Sequence, residues 1–510
     1  MMSASGWAQQ TWTGGGADNS WGTAGNWSGG VPADYTHITF SGPLRTSPVL
    51  DKERIINSLT FSSGAAAFTL GGSPILRIGS GGITNNSSHT QTITHPVAVQ
   101  GSQTWNVGSG GLVVSGNVSS PWHVTLTKTG SGTLTLSGNN SGFVGPVVIS
   151  AGTVVAAADN AFGNATYGNT VASGATLALT GGVILTEGDL YIAGGGVNGG
   201  GALRNISGNN TLYADLKLSA SATVTSDAGN LVLGNSVIAS GHTLTLDGAG
   251  NISVPSHVSN VGNLVIAGSG DRSFSGSQIN VNAGGSIILN GDGHTVFDTR
   301  ITASNGYFVQ TSGTTTFAGD ENNFFHSVNI SGGHLILNNS VGYAMQIDSK
   351  SGTVTIENAT VEFGGDNQVA DWTDVTLGDN AVLKFNDTAQ HIDSLTITGD
   401  SILDFGEGGS TFDISSLTLH GDSVLTIVNW SDDLDTFFAN VNPGSSTLAK
   451  IIFDGIGEAA WDSSSGTGVL IPTLPVPEPA ATGLLLLGGL ATFPFLRRPR
   501  RPAVSPGDSR

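Results

Sequence analysis

A short phrase recurs about every 21 residues along this chain, and the period limits the folds open to it. Each phrase is a glycine followed by an alternating run such as Thr-Leu-Thr-Leu or Thr-Val-Val-Ala. The glycines that open four consecutive runs are almost evenly spaced: Gly111, Gly132, Gly152 and Gly174. Nearly the same spacing recurs within three later sets: Gly241, Gly262 and Gly285; Gly313, Gly333 and Gly352; Gly378, Gly399 and Gly421. Fixed periods of this kind are typical of solenoids, propellers and repeat arrays.

The alternation within each phrase selects among these architectures. In an L-x-L run, one strand face is apolar while Thr or Ser occupies the other. WD40 and kelch blades need roughly 40–50 residues per repeat, and leucine-rich repeats carry a Leu frame that this chain lacks. Three short strands and three turns fit into one such period. We therefore predict an all-β fold, a right-handed parallel β-helix over residues 36–430, with roughly twenty coils stacked along a rod of about 90–100 Å.

Composition and charge support this fold and exclude several functions. Glycine supplies 76 of the 510 residues, as a chain with three tight corners per coil requires, and we expect a positive φ at Gly132 and Gly152. The first 496 residues hold 12 basic and 36 acidic residues, which gives a net charge of −24. Such a body repels phosphate backbones, so we expect no nucleic-acid partner. Cysteine is absent, which excludes disulfides, thiolate metal sites and a cysteine nucleophile.

Residues 1–35 differ from the repeats in being rich in tryptophan. Three of the nine tryptophans lie between residues 11 and 42: Trp12, Trp21 and Trp27. An open solenoid end exposes apolar interior and unpaired strand edges, so we expect these rings to cap it. A sugar-stacking platform is the alternative. Residues Ser5 to Ala8 resemble the small-residue end of a secretory signal without its apolar region, so we expect the coding sequence to begin further upstream.

The C-terminal end predicts a membrane segment. After a cap region at 431–470 and a proline-rich linker, residues 480–496 form an apolar run of about 17 residues, the lower limit for a spanning helix. A basic cluster then precedes the tail at 502–510: Arg497, Arg498, Arg500 and Arg501. Such a cluster stays cytoplasmic, which places the body outside. The alternative is a hydrophobic C-terminal helix of a globular domain.

Residues 471–501 as a whole resemble a known targeting signal. The tetrapeptide Val476-Pro477-Glu478-Pro479, the apolar run and the arginines together look like a PEP-CTERM sorting signal of Gram-negative bacteria. The resemblance implies an exosortase, a membrane protease that recognises the Pro-Glu-Pro motif. It further implies transient anchoring in the inner membrane, then release of the body to the cell surface or the extracellular matrix.

A second resemblance covers Leu126 to Gly163, which reads LTKTGSGTLTLSGNNSGFVGPVVISAGTVVAAADNAFG. This segment is similar to the autotransporter-associated β-strand repeat, with its K-x-G-x-G-x-L-x-L-x-G-x-N phrase. One copy is this literal, and the rest of the chain follows the pattern loosely. The resemblance implies an exported protein built on a β-solenoid.

Parallel β-helices often carry polysaccharide lyase or hydrolase activity, but the sequence contains few residues suited to such catalysis. A lyase for acidic sugars needs Arg or Lys at the reacting carbon, but the basic residues between 78 and 449 are isolated in the sequence. A hydrolase needs paired carboxylates. Three Gly-Asp turns could align acids one coil apart, at Asp379, Asp400 and Asp422. Their constant register favours turn chemistry, in which Asp bonds its own backbone.

Calcium is the one cofactor that the sequence raises. Asp432, Asp433 and Asp435 form a D-D-x-D phrase, and calcium binds six to eight oxygens. Neither an EF-hand loop nor a glycine-rich nonapeptide repeat accompanies them, so a solvated turn is favoured and no cofactor is expected. We predict an exported, non-catalytic, adhesive or structural solenoid, with exopolysaccharide or surface glycans as partners. The alternatives are a polysaccharide lyase or hydrolase and a carbohydrate-binding β-helix protein.

Overall fold

The structure, a computed structural model, describes residues 8–164, 168–186, 188–349, 351–464 and 468–473. The chain divides into two units at residue 473, and every described residue belongs to the first. The predicted sorting motif, apolar run and arginine cluster lie outside the described residues, as do residues 1–7. None of the helices in the described ranges is long and apolar enough to cross a membrane.

The first third of the body consists of short strands, with one 3₁₀ turn at Ala24–Asn26. The strands are β1 (Gln9–Trp12), β2 (Thr36–Phe40), β3 (Arg54–Phe61), β4 (Thr69–Leu70), β5 (Leu76–Asn85), β6 (Gln91–Ile93), β7 (Val97–Val99), β8 (Gln103–Val107), β9 (Leu112–Val114), β10 (Val118–Ser119), β11 (Leu126–Thr129), β12 (Thr133–Leu136), β13 (Val147–Ile149), β14 (Gly152–Ala156), β15 (Asn169–Val171) and β16 (Ala175–Thr180).

The middle third has the same character, with a second 3₁₀ turn at Val197–Gly199. Its strands are β17 (Ile184–Leu185), β18 (Leu190–Gly194), β19 (Leu203–Ser207), β20 (Asn210–Leu212), β21 (Leu216–Ser226), β22 (Asn230–Leu233), β23 (Val237–Ile238), β24 (Thr243–Asp247), β25 (Asn251–Val254), β26 (Val258–Ile266), β27 (Arg272–Phe274), β28 (Gln278–Leu289), β29 (His294–Phe297), β30 (Arg300–Thr302), β31 (Tyr307–Gln310) and β32 (Thr314–Phe317).

The last third adds one single-turn helix, α1 (Ser445–Leu448). Its strands are β33 (Phe324–Phe325), β34 (Ser327–Ile330), β35 (Gly333–Leu337), β36 (Gln346–Ile347), β37 (Val354–Ile356), β38 (Ala359–Phe363), β39 (Asp374–Leu377), β40 (Ala381–Lys384), β41 (Ala389–Ile397), β42 (Ser401–Asp404), β43 (Thr411–Leu419), β44 (Leu425–Val428), β45 (Thr436–Ala439), β46 (Ile451–Phe453), β47 (Gly457–Asp462) and β48 (Gly468–Pro472).

Strand pairing confirms a parallel β-solenoid. Strand β21 covers two sides of one coil and β22 covers the third; the next coil repeats the order with β23, β24 and β25. Each side pairs in parallel with its successor, as Leu216 does with Val237, Val224 with Leu246 and Leu231 with Ile252. The body contains about 19 such turns, close to the predicted number. Parallel pairing continues as far as β46, one coil beyond the predicted boundary at residue 430. The right-handed coil stays a prediction.

Alternation along each strand builds the core. The side chains that point inward are Val, Leu, Ile and Phe, and most of them are fully buried. Equivalent positions stack from coil to coil, so that Phe274, Phe297 and Phe317 form a ladder with ring centroids 5.1 and 5.5 Å apart. Because each residue buries its side chain against the same position of its neighbours, the core extends along the whole body as one continuous column.

The two ends are closed in different ways. At the N-terminal end, β1 pairs in parallel with β2, and indole rings cover the first coil. At the C-terminal end, the antiparallel hairpin β47–β48 covers the open edges: Glu458 pairs with Ile452 of β46, and Val469 pairs with Phe438 of β45. Both devices occupy strand edges that would otherwise recruit another chain.

Two glycines of the repeat are required for different reasons. Gly152 has a φ of +67°, a left-handed backbone that side chains with a Cβ rarely adopt, as expected. The same expectation is wrong for Gly132, which lacks a positive φ; a Cβ there would overlap the carbonyl oxygen of Gly108 in the preceding coil. The repeat therefore selects glycine both for its backbone conformation and for the close approach of stacked corners.

Candidate functional site

The three N-terminal tryptophans form a closed aromatic cluster. Trp12 and Trp21 are 0% exposed and Trp27 is 4% exposed. The ring of Trp27 lies 5.1 Å from that of Trp12 and 5.2 Å from that of Trp21, both edge to face. Trp27 Nε1 also donates a 2.9 Å hydrogen bond to the Trp21 carbonyl. Buried rings have no face free for a sugar, so the structure favours the capping role and does not support the stacking alternative.

The Asp432, Asp433 and Asp435 phrase does not converge on a cation. Asp435 is 6% exposed, and its two carboxylate oxygens accept hydrogen bonds from the amides of Ser410 (2.8 Å) and Ser431 (2.7 Å). Asp432 instead accepts a 2.7 Å hydrogen bond from Trp430 Nε1. Burial raises the pKa of Asp435. The calcium alternative gains no support from this geometry, because Asp435 serves as a buried acceptor for two backbone amides.

The Gly-Asp turns also use their carboxylates on the backbone. Asp379 Oδ1 accepts from the Asp400 amide at 3.2 Å, and Asp400 Oδ1 accepts from the Val424 amide at 2.9 Å. The prediction of turn chemistry needs one correction. Each of these two carboxylates bonds the backbone of the following coil, whereas the sequence suggested a bond within the same turn.

One histidine lies near both an acid and a serine. His326 Nδ1 is 3.1 Å from Asp348 Oδ1 and 3.4 Å from Ser349 Oγ. A Ser-His-Asp triad requires the acid and the serine on opposite ring nitrogens. Both contacts here fall on the same nitrogen, so the arrangement lacks triad geometry. Among the residues that the structure describes, no group of three or more His, Asp or Glu side chains could hold a metal ion.

Lys128, the lysine of the literal repeat phrase, is fully buried. Its Nζ donates to the carbonyls of Thr129 (2.9 Å), Gly130 (2.8 Å) and Ala151 (3.0 Å). Desolvation lowers the pKa of Lys128 to about 8. The ammonium therefore links two consecutive coils at one corner. The K-x-G-x-G motif alone did not predict this structural role.

A row of outward-facing residues follows one strand column, and four of its five members are polar. Pairing in register places four outward residues of successive coils directly above one another: Asn280, Thr302, Phe324 and Gln346. In the coil before them, Ser259 follows Val258, which pairs with Ile279. Each member lies one repeat period further along the chain than the member before it. Gln278 Nε2 connects two of these coils by a 3.1 Å hydrogen bond to Thr302 Oγ1.

At one end of this row the surface is concave. The groove is lined by amide, hydroxyl and imidazole side chains: His257, Ser259, Asn260, Gln278, Asn280 and Asn282. None of its lining residues is Asp, Glu, Lys or Arg. A strongly acidic body thus presents an uncharged polar groove. We call the row together with this groove the polar face.

An aromatic pair stands at the other end of the polar face. Trp372 is 38% exposed, and its Nε1 donates a 3.0 Å hydrogen bond to the carbonyl of Ile347 in β36. The Tyr343 ring packs edge to face against it at 6.0 Å and 75°. Burial and the negative charge of neighbouring Asp371 raise the pKa of Tyr343. The repeat spacing alone could reveal neither the row, because bulges in β26 shift the pairing register, nor these rings, which lie on corner loops.

The family comparison agrees with the repeat seen in the sequence. The passenger-associated-transport-repeat family matches residues 126–156, the segment that holds β11 to β14 and Lys128. No curated protein and no solved structure matches the chain. The autotransporter-associated repeat is thereby confirmed for this segment. A repeat of this kind on a parallel β-solenoid fits a surface or secreted β-helix protein.

Proposed function

We propose that this protein is a non-catalytic, adhesive or structural component of the bacterial cell surface or extracellular matrix. The observation that carries the proposal is the passenger-type repeat at 126–156, set within a body of about 19 stacked turns. A rod of this kind exposes a long, regular surface, which suits attachment along its length. Exopolysaccharide and surface glycans are the partners that we expect, and nucleic acid is not, since the body is acidic.

Delivery is the second part of the proposal. Val476, Pro477, Glu478 and Pro479 would be recognised by an exosortase-type protease while the apolar run holds the chain in the inner membrane. The four arginines at 497–501 would keep the C-terminal end cytoplasmic.

A non-catalytic role is supported by the state of the polar side chains. The carboxylates of Asp379, Asp400 and Asp435 already accept hydrogen bonds from backbone amides. Lys128 is buried against carbonyls. These hydrogen bonds connect neighbouring coils, and Lys128 and Asp435 are in addition buried away from solvent.

The test follows the chain through export in a host that carries an exosortase. The full chain with Pro477→Ala and Glu478→Ala is compared with wild type by cell fractionation. We expect wild type at the surface or in the medium, and the variant uncleaved in the inner membrane. A control with Pro502→Ala and Asp508→Asn, beyond the arginines, should behave as wild type. Equal release of the motif variant and wild type would contradict the proposed delivery.

A further inference from the structure

The polar face and its aromatic pair form a surface that differs from the rest of the body. It combines neutral hydrogen-bonding side chains over several coils with two ordered rings at its end. The Lys128 ammonium and both carboxylate oxygens of Asp435 form hydrogen bonds with the backbone of the coils. The groove residues Asn280 and Asn282 instead line a surface open to solvent.

The chemistry of this face identifies a class of ligand. Sugar rings carry hydroxyls around their rim, which both donate and accept, and C–H groups on their faces. Amides and hydroxyls such as those of Asn280, Gln278 and Ser259 match the rim because they too donate and accept. Exposed aromatic rings such as Trp372 match the C–H faces, since a ring face is apolar and carries negative partial charge.

The charges at the polar face restrict the expected ligands to neutral sugars. The groove lining holds no lysine or arginine to neutralise a uronate or sulfate. The guanidinium beside the row, that of Arg300, lies 3.3 Å from Glu321 and 5.6 Å from the Phe324 ring centre, so its charge is already paired. Asp371 next to Trp372 adds negative charge at the aromatic end. An acidic polysaccharide would therefore be repelled.

The direction of binding follows from the fold. Row residues repeat once per coil, at about 4.8 Å, and all point from the same strand column. A linear polymer lying parallel to the solenoid axis would meet one outward side chain of the row at each coil, polar at every coil except that of Phe324. We infer that the polar face from Ser259 to Trp372 binds a segment of neutral polysaccharide along the axis of the solenoid. The inference rests on the proposed adhesive role and extends it by naming a surface and a ligand.

Two substitutions on the purified full chain test this. Trp372→Ala removes the exposed indole, and Asn280→Asp places a charge in the groove. Binding to immobilised neutral β-glucan and α-mannan is compared with binding to polygalacturonate and alginate. We expect wild type to bind a neutral polymer and neither acidic one, and each variant to bind at least about tenfold more weakly. Matched controls elsewhere on the surface, Trp122→Ala and Asn440→Asp, should remain within about twofold of wild type.

Melting temperatures of all four variants establish that the body stays folded. Equal binding of the acidic polymers, no binding of either neutral polymer, or unchanged binding by both the Trp372→Ala and the Asn280→Asp variants would each overturn the inference. Because purified protein is used, this result does not depend on cellular location. Failed export would contradict the proposed delivery and leave the polysaccharide measurement standing.

Discussion

The repeat segment at 126–156 and the acidic coils at 374–435 share one coil geometry and stabilise it with opposite charges. In the repeat segment, buried Lys128 donates to three carbonyls of two consecutive coils. In the acidic coils, carboxylates accept from backbone amides of a neighbouring coil, as Asp400 does from Val424 and Asp435 from Ser410.

This difference shows which part of the sequence the solenoid constrains. Each corner leaves backbone carbonyls or amides that must find a partner when they are buried. A donor such as Lys128 satisfies one kind of corner, and an acceptor such as Asp435 satisfies the other. The apolar strand positions stay constant while corner residues vary, which accounts for one literal copy of the repeat phrase in a body of about 19 turns.

The largest expected effect concerns the glycine corners of the two regions. Gly132→Val should cost about 3–5 kcal/mol, because its side chain would overlap the Gly108 carbonyl. Gly421→Asn should cost no more than about 1 kcal/mol, since its φ of +56° suits Asn and no atom lies within 4 Å of an added Cβ. Urea unfolding of both variants and of the surface control Ser150→Ala checks this. Equal losses for the two glycines would contradict the close-approach argument.

The second-largest loss of stability is expected when the buried lysine of the repeat segment, Lys128, is replaced. Lys128→Met roughly keeps the volume of the side chain but removes the donor to three partly buried carbonyls, which should cost about 2–4 kcal/mol. The exposed Lys52 serves as the control, and Lys52→Met should change stability by less than about 0.5 kcal/mol. Denaturant midpoints measure both. A Lys128→Met variant as stable as wild type would remove the proposed role of the corner lysine.

A smaller loss is expected in the acidic coils. Asp435→Ala leaves the amides of Ser410 and Ser431 without their acceptor, at a cost of about 1–3 kcal/mol. Asp433→Ala, at a nearby exposed position, should be neutral. Thermal melts in calcium-free buffer and in buffer with added calcium separate this explanation from metal binding. Calcium-dependent stabilisation of wild type that Asp435→Ala abolishes would restore the metal alternative.

The last comparison concerns how the stability of the repeat segment depends on pH through Lys128. The pKa of Lys128 is lowered to about 8 in the folded chain from 10.5, so between these values the unfolded chain binds more protons. Wild type should therefore gain stability relative to Lys128→Met as the pH rises from about 8 to 10.5. Unfolding free energies at several pH values in this window measure the change. A difference that stays constant or shrinks would contradict a lowered pKa of Lys128 in the folded chain.

The sequence predicted the fold well and the surface poorly. Glycine spacing and strand alternation were enough for the parallel coil, because both arise from the backbone geometry of each turn. The burial of Trp12, Trp21 and Trp27 agreed with the expected cap. The predicted reason for glycine at position 132 was wrong. Glycine is needed there because a Cβ would overlap the Gly108 carbonyl of the preceding coil, and not because of a positive φ.

The polar face was not found from the sequence because it depends on register. Bulges in β26 shift the pairing between Val258 and Val261 and again before Asn263, so the outward position cannot be counted from the glycines alone. Tyr343 and Trp372 lie more than one repeat period apart in the sequence, on different corner loops of different coils. The two rings come into contact only because the coils that carry them are stacked in the fold.

One measurement tests the central claim of an exported, released surface solenoid most directly. Intact cells of a host with an exosortase are treated briefly with protease, and the released peptides are identified by mass spectrometry. The account predicts peptides from the body, including the repeat segment at 126–156, and none that extend beyond the vicinity of Glu478. Peptides from Arg497 to Arg510 in the surface material, or body peptides found after cell lysis but not from intact cells, would contradict it.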